Sequence, residues 1–290
     1  MKPLLALAAW SARILPASLK RRLYRSPALA RRLRGALNRS VPPGMSEVNV
    51  AAGALQGARL VLNLQEEKDY WLGTYETELQ AAIRDFIRPG MIAYDVGANI
   101  GYISLMLSRQ VGPAGCVFAF EALPSNLERL RLNLSLNSGH GRVEAVQAAV
   151  VEKSHAVQFL VGPSGGMGKV RGSAGRREYR YSESVQVDGI SLDDFVFTKG
   201  NPVPQVVKMD IEGGEVLALP GMRHVLDEGR PLVFLELHGP ESAKCAWEEF
   251  TRSGYSMRAM TKGYPPIASL ESLDWKSYVV AVPEEKPRGG

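Results

Sequence analysis

At 290 residues the chain has room for one large domain or two small ones, and 45% apolar residues are ordinary for a globular protein with a sizeable core. No run approaches the roughly 18 uncharged apolar residues that a membrane-spanning helix needs. The formal charge of +5 hides an asymmetry, because the first 46 residues carry ten Lys or Arg and no acid, leaving 25 basic against 30 acidic residues in the body. A mildly acidic body argues against a nucleic-acid groove across the domain. Two cysteines, Cys116 and Cys245, exclude a disulfide framework, and neither they nor the four histidines stand at metal-ligand spacing.

In chain order, Pro3 to Ala12 is uncharged, but Arg13 follows without a small-x-small cleavage site, which argues against a secretory signal. Leu29, Leu33 and Leu37 fall at i, i+4, i+8 among Arg31, Arg32, Arg34 and Arg39, a basic amphipathic helix pattern. It reads equally as a peripheral contact with an anionic membrane surface through residues 1–40 or as a solvated or subunit-contacting arm. Residues 1–46 are therefore set apart as an extension, with Val41-Pro-Pro-Gly44 as a turn-rich linker, and 47–290 as the domain, its core at about 75–282. The expected location is the cytoplasm, at the inner membrane surface if the extension anchors.

Leu79, Ala82, Ile83, Phe86 and Ile87 have helical spacing over 76–87, and Arg88-Pro-Gly90 stops that helix. Met91 to Val96 is a short apolar run read as a buried strand, followed by a helix over 102–111. Cys116 to Phe120 is a second strand, 124–137 a helix, 143–151 a third strand and 156–161 a fourth. Residues 162–180 are rich in Gly, Ser and basic residues and are read as a mobile flap. Ser184 to Ile190 alternates, and Ser191 begins a capped helical turn. Further strands are expected at 205–209 and 232–237, a helix broken at Pro220-Gly221 between them, a helix at 240–253, and an antiparallel hairpin from 255–260 and 277–282. Short apolar strands alternating with helices predict an α/β domain, a doubly wound, mostly parallel sheet with that C-terminal hairpin.

In such sheets ligands bind beyond the carboxyl ends of the strands. Those ends carry Asp95 with the Gly97 loop, Glu121, Ala148 and Ala149, Asp210-Ile-Glu212, and Glu236-Leu-His238, all acidic or small apart from the histidine. Gly97, Asn99 and Gly101 make a tight strand-to-helix turn in which glycine allows positive φ and close approach of a ligand. A dinucleotide fingerprint needs glycine at 97, 99 and 102, and Asn99 and Tyr102 fail it; no Walker-type phosphate loop is present either. An acid before the loop suits a ligand bearing a positive charge, and Glu121 at the next strand end can accept hydrogen bonds from ribose hydroxyls.

The runs Asp95-Val-Gly-Ala-Asn-Ile-Gly101, Glu121-Ala-Leu-Pro-Ser-Asn126, Val207-Lys-Met-Asp-Ile-Glu-Gly213 and Phe234-Leu-Glu-Leu-His238 together resemble the FkbM family of methyltransferases. The resemblance implies a Rossmann-like domain, S-adenosylmethionine as cofactor and O-methylation of a hydroxyl on a sugar, glycan or secondary metabolite. Carried over by position, Gly97, Ala98, Asn99 and Gly101 would hold the methionine end, Asp95 would orient that loop or meet the ammonium, Glu121 would bind the ribose, and Ala148 would lie by the adenine. Tyr75 and Glu76 would close over the site, unless Glu76 is only a first-turn acid favouring its helix dipole.

A hydroxyl acceptor must lose a proton. Asp210 and His238 are the candidate general bases, with Glu212 and Glu236 as rivals at the same strand ends. Asp210, Glu236 and His238 could also collect a divalent cation, but no fourth ligand is evident in the sequence and no metal is assigned. Lys208 is expected either to support Asp210 or to stand exposed at an edge. The place where many nucleic-acid methyltransferases carry Asn/Asp-Pro-Pro-aromatic holds Asp210-Ile-Glu-Gly213, which favours a small-molecule or glycan acceptor and no nucleic acid. The alternative reading is a catalytically silent, cofactor-binding, membrane-associated module.

Overall fold

The computed structural model describes residues 43–162, 166–176 and 183–285, together with positions 11, 40, 41, 178 and 181. The basic amphipathic pattern at 29–39 lies outside the described residues. Among the described residues no helix is long and apolar enough to cross a membrane.

The chain divides into two compact units, residues 1–80 with 132–138, and residues 81–131 with 139–290. In the first, β1 (Met45–Asn49) pairs antiparallel with β2 (Arg59–Asn63), followed by α1 (Lys68–Leu72) and the start of α2 (Thr77–Phe86). Alternation along β2 buries Leu60 and Leu62 completely while Arg59 faces water. The unit's second segment completes that strand's hydrogen bonding, with Val61 N donating to Asn133 Oδ1 at 2.8 Å and Arg59 N to Asn137 Oδ1 at 3.0 Å.

The second unit holds β3 (Ile92–Val96), α3 (Tyr102–Val111), β4 (Cys116–Phe120), the first turns of α4 (Pro124–Ser135), β5 (Arg142–Val146), β6 (Ala149–Val150), β7 (Ala156–Val161), β8 (Lys169–Val170), β9 (Glu183–Ile190), β10 (Val206–Met209), α5 (Glu215–Ala218), β11 (Leu232–His238), α6 (Pro240–Arg252), β12 (Tyr255–Ala259) and β13 (Lys276–Pro283). Seven strands form one sheet in the order β12-β13-β11-β10-β3-β4-β5. β11, β10, β3, β4 and β5 run parallel, and β13 pairs antiparallel with both β11 and β12. The central strands are apolar without alternation because both faces are covered; all four residues of β10 are buried. Aromatic rings fill the core beside β3 and β4, where Tyr94, Phe118 and Phe120 surround Phe195 with centroids 4.9–5.6 Å apart. The α/β class and the terminal hairpin are thus as the sequence predicts.

Two local expectations change. The single strand predicted over 143–151 is two, because the chain turns after Val146, where Ala148 N donates back to Val146 O at 3.1 Å. β6 then joins a separate four-stranded sheet, β6-β9-β7-β8, in which β7 and β9 are antiparallel. Elsewhere local chemistry sets the breaks. Asp194 N donates to Ser191 Oγ at 3.0 Å and starts a short π-helix at Asp194–Thr198. Pro220-Gly221 splits the 215–229 segment into α5, a 3-10 turn and a π-helix, and a Cβ on Gly221 would lie 2.3 Å from Val151 O.

β3 lies between β4 and β10, and the chain leaves β3 towards β4. The strand order therefore reverses at β3 and β10, the point at which open α/β sheets place a ligand crevice beyond the carboxyl ends of their strands.

Candidate functional site

The glycine loop leaves β3 at that crevice. Gly97 N and Ala98 N both donate to Phe120 O, at 3.1 and 2.9 Å, and Asn99 N donates to Glu121 Oε2 at 2.8 Å. The loop's own amides thus tie it to the end of β4. Gly97 has φ +79°, and a Cβ there would sit 2.0 Å from Asp210 O; a Cβ on Gly101, at φ +87°, would sit 3.3 Å from the Leu130 side chain. The glycines expected to admit a ligand are also demanded by the protein's own packing. Asn99 takes φ +49°, a region asparagine tolerates better than most residues.

Asp95 and Lys208 staple the two central strands. Asp95 is fully buried; its Oδ2 accepts from Ser104 Oγ at 2.6 Å, and Lys208 Nζ lies 3.4 Å from Oδ1. Lys208, opposite Asp95 in the β3–β10 register, also donates to Gly97 O at 3.2 Å. It is buried and not edge-exposed. Glu121 is buried, with Oε1 accepting from Leu123 N at 2.9 Å and from Asn126 Nδ2 at 3.4 Å. Burial pushes its carboxyl above the ordinary range in spite of these donors and of Lys208.

The second group lies at the ends of β10 and β11. His238 is 2% exposed, and its Nε2 faces three carboxylates, Glu236 Oε1 at 3.1 Å, Asp210 Oδ1 at 3.8 Å and Glu212 Oε2 at 3.8 Å. None is aligned to accept a hydrogen bond from Nε2, although Glu236 is close enough to pair by charge. On the other ring edge, Nδ1 meets Glu215 Oε1 at 3.3 Å. Burial alone would lower the His238 pKa, but Glu215, Glu236 and Asp210 outweigh it and hold it at about 10. Burial also raises the Glu212 carboxyl, with Glu236 adding to the effect and His238 opposing it. Glu236 goes the other way despite burial, because His238 and Lys276 both pair with it.

Glu215 and Lys276 escape a sequence reading. Glu215 looks like an ordinary first-turn acid of a helix. Here it is fully buried, accepts from Ser242 Oγ at 2.8 Å, and receives Ile211 N and Gly213 N at 3.3 and 3.4 Å. It holds the Asp210-Ile-Glu-Gly turn, in which Glu212 and Gly213 take φ +54° and +97°. Lys276, from the last strand, is paired with Glu236 through the β11–β13 register only two rows away.

The rim includes part of the expected flap. Ala174 N donates to Gly213 O at 2.9 Å, and Lys169 Nζ donates to Ala174 O and Arg176 O at 2.7 and 2.9 Å. Ala174 thus ties this segment to the Asp210–Gly213 turn, and Lys169 braces the segment from within. The Arg176 guanidinium lies 5.2 Å from the Trp275 ring, and that ring, 42% exposed, stands edge-on to His238 at 6.4 Å. Ala98 is buried in the loop, and Ala148 packs in the main core just past β5. Glu76 belongs to the first unit, where its carbonyl accepts from Gln80 N at 2.9 Å.

Comparison with known proteins follows this geometry. A model of the methyltransferase FkbM domain matches residues 95–260, from the buried Asp95 to the final strand pair and across more than half of the sequence. The chain belongs to the FkbM methyltransferase family. Within curated proteins, this family member is 30% identical over 147 residues to the hexuronic acid methyltransferase AglP of Haloferax volcanii, covering 51% of the chain and 56% of AglP. It is 42% identical over 59 residues to a protein-L-isoaspartate O-methyltransferase of Aeropyrum pernix, covering 20% of the chain and 23% of that protein. The chain thus spans about half the length of the first relative and less of the second. A solved FkbM methyltransferase from Methylobacillus flagellatus superposes with TM-score 0.42 at 18% identity, over 73% of this chain and 52% of that one.

Proposed function

We propose that this chain transfers a methyl group from S-adenosylmethionine to a hydroxyl of a sugar or glycan. The observation that carries the reading is the abutment of Gly97 on the Asp210 main-chain carbonyl, which joins the family's glycine loop to the residue whose partly exposed carboxylate faces His238. The residues fit the cofactor by charge and by donor chemistry. With three donors already on Glu121, one lone-pair site remains for a ribose hydroxyl, and Asp210, Glu212 and Glu236 give the crevice a negative field that attracts a sulfonium and an ammonium.

When bound, the cofactor supplies a methyl on a sulfonium whose leaving group is a neutral thioether. The chain's tasks are then to align the acceptor, exclude water and take one proton. Asp210, with its side chain 19% exposed, is placed to take that proton. His238 is the weaker candidate, since its neighbours hold it protonated at neutral pH. Asp95 acts from below by holding Lys208 and the loop, out of reach of the ligand.

A sugar acceptor is supported by the hexuronic acid relative and by the rim. Trp275 offers a half-exposed ring for the apolar face of a sugar, and Arg176 above it suits a uronate carboxylate. Calorimetric titration of the full chain with S-adenosylmethionine and with its demethylated product tests the cofactor. Both should bind, and Glu121→Ala should weaken both about 10-fold or more by removing a charged acceptor. Absence of binding by either molecule refutes the reading. Trp275→Ala should raise acceptor KM roughly 10-fold with cofactor affinity unchanged, as expected for loss of one stacking platform; an unchanged KM removes Trp275 from the acceptor site.

A further inference from the structure

We propose that Asp210, Glu236 and His238, with Glu212 at their edge, form a binding site for one divalent cation of the Mg²⁺/Mn²⁺ class. The sequence offers three of these groups and no fourth. Glu212 stands beside them without belonging to the mutually close set: the left-handed turn at 212–213 brings its Oε2 to 3.8 Å from His238 Nε2, as near as Asp210 Oδ1, so a side-chain rotation would add it to the shell. Asp210, Glu236 and His238 each offer a ligand atom within 4.8 Å of the other two.

The imidazole carries the inference beyond a cluster of acids. His238 is 2% exposed, and its Nε2 has no hydrogen-bond partner although it points into the carboxylates. A carboxylate only accepts, so Glu215 Oε1 at Nδ1 calls for the proton on that nitrogen. Nε2 then faces Glu236, Asp210 and Glu212 with charge pairing alone between them, and a divalent cation among them would take the place of the Nε2 proton. A buried acid fixing the far nitrogen of a ligating histidine is the usual support of a metal site, and Glu215, fully buried and bonded to Ser242, occupies that position.

Distances and donor types agree with a hard cation. About 2.1 Å bonds in octahedral geometry set neighbouring donors about 3.0 Å apart and opposite donors about 4.2 Å apart. The separations from Nε2, 3.1 to 3.8 Å, fall within that span. Three carboxylates to one imidazole, with no thiolate, favour Mg²⁺ or Mn²⁺ over zinc. Asp210 and Glu212, with side chains 19% and 29% exposed, open the site to the crevice, so water or acceptor hydroxyls complete the shell. Lys276 now pairs with the same Glu236 oxygen, and its side chain, 44% exposed, is free to turn outward when a cation arrives. The site exists whatever the methyl acceptor is, so it stands or falls apart from the proposed reaction.

The test is a Mn²⁺ titration of the chelator-treated full chain, followed by electron paramagnetic resonance, with neither cofactor nor acceptor present. One Mn²⁺ should bind per chain and Mg²⁺ should displace it. Glu236→Gln and Asp210→Asn should each weaken binding at least 10-fold while the thermal melt stays cooperative. Lys276→Met removes a competitor without touching a ligand, so it should tighten binding several-fold even if a ligand variant fails to fold. No bound Mn²⁺ at millimolar concentration, unchanged affinity in both ligand variants, or weaker binding in Lys276→Met overturns the proposal, and zinc that Mg²⁺ and Mn²⁺ cannot displace overturns the assigned cation class. Cofactor affinity measured on the same samples shows separately whether the methyl-transfer reading holds.

Discussion

Asp210→Asn is expected to lower kcat by about 10²- to 10⁴-fold, the range a positioned general base contributes, while cofactor affinity stays within about threefold. The substitution keeps the shape of the side chain and the main-chain carbonyl against Gly97, so the loop has no reason to move. What it removes is a negative oxygen 3.8 Å from His238 and open to the crevice. The measurement is single-turnover methyl transfer at saturating donor and acceptor, with and without added Mn²⁺. Loss of rate that excess metal does not restore assigns Asp210 as the proton acceptor. Rate restored by metal makes it a ligand alone, and full activity without metal dismisses both roles. Glu212→Gln serves as comparison, since Glu212 flanks His238 at the same distance and burial raises its carboxyl.

Much of the fold was legible because its signals are local. A parallel sheet covered on both faces needs short apolar strands, and Ile92–Val96, Cys116–Phe120 and Val206–Met209 read that way at once. The strand-end carboxylates were legible for the same reason, since a run of apolar residues ending in Asp or Glu marks where a buried strand reaches solvent. The second sheet was not. Ala149–Val150 is apolar like the residues before it, and only the turn after Val146 sends it to β9 instead of continuing β5.

The site was legible as a set of residues and illegible as an arrangement. Sequence assigned Asp95 either to the loop or to the ligand's ammonium; the structure pairs it with Lys208 in the neighbouring strand, which no spacing rule connects across 113 residues. Glu215 was passed over because an acid in the first turn of a helix is common. Its importance comes from full burial and from Ser242 and His238, both supplied by the next βα unit. Trp275 and Lys276 reach the rim because β13 inserts between β11 and β12, a pairing that the local pattern of 277–282 does not announce. Tertiary neighbours, and not propensity, therefore decide which of the strand-end acids are structural and which face the crevice.

Gly97→Ala should cost more than any substitution in the crevice, because it acts on the fold and on both halves of the site together. An alanine Cβ would lie 2.0 Å from Asp210 O and 2.9 Å from Ile211 Cγ2, and the first of these is main chain at the end of a central strand. That atom cannot rotate away; β10 must shift against β3, whose register with it runs Val206↔Ala93 to Met209↔Val96. The residue must also hold φ +79°, which a side chain strains. Backbone strain and overpacking together amount to about 2–5 kcal/mol, a fall in Tm of roughly 5–15 °C for a unit of this size. The shift passes to function through two links already in place. Lys208 Nζ holds Gly97 O, and Asp210 N holds Val96 O at 3.1 Å, so moving either strand end separates the glycine loop from Asp210. Cofactor affinity and turnover should then fall together, by about 10-fold or more each, in contrast to Asp210→Asn, where only turnover falls. Thermal melting and donor calorimetry on the same preparation check the pair. A Gly97→Ala variant with unaltered Tm and unaltered cofactor affinity would show that the abutment of Gly97 on the Asp210 carbonyl does not hold the two halves of the site in place.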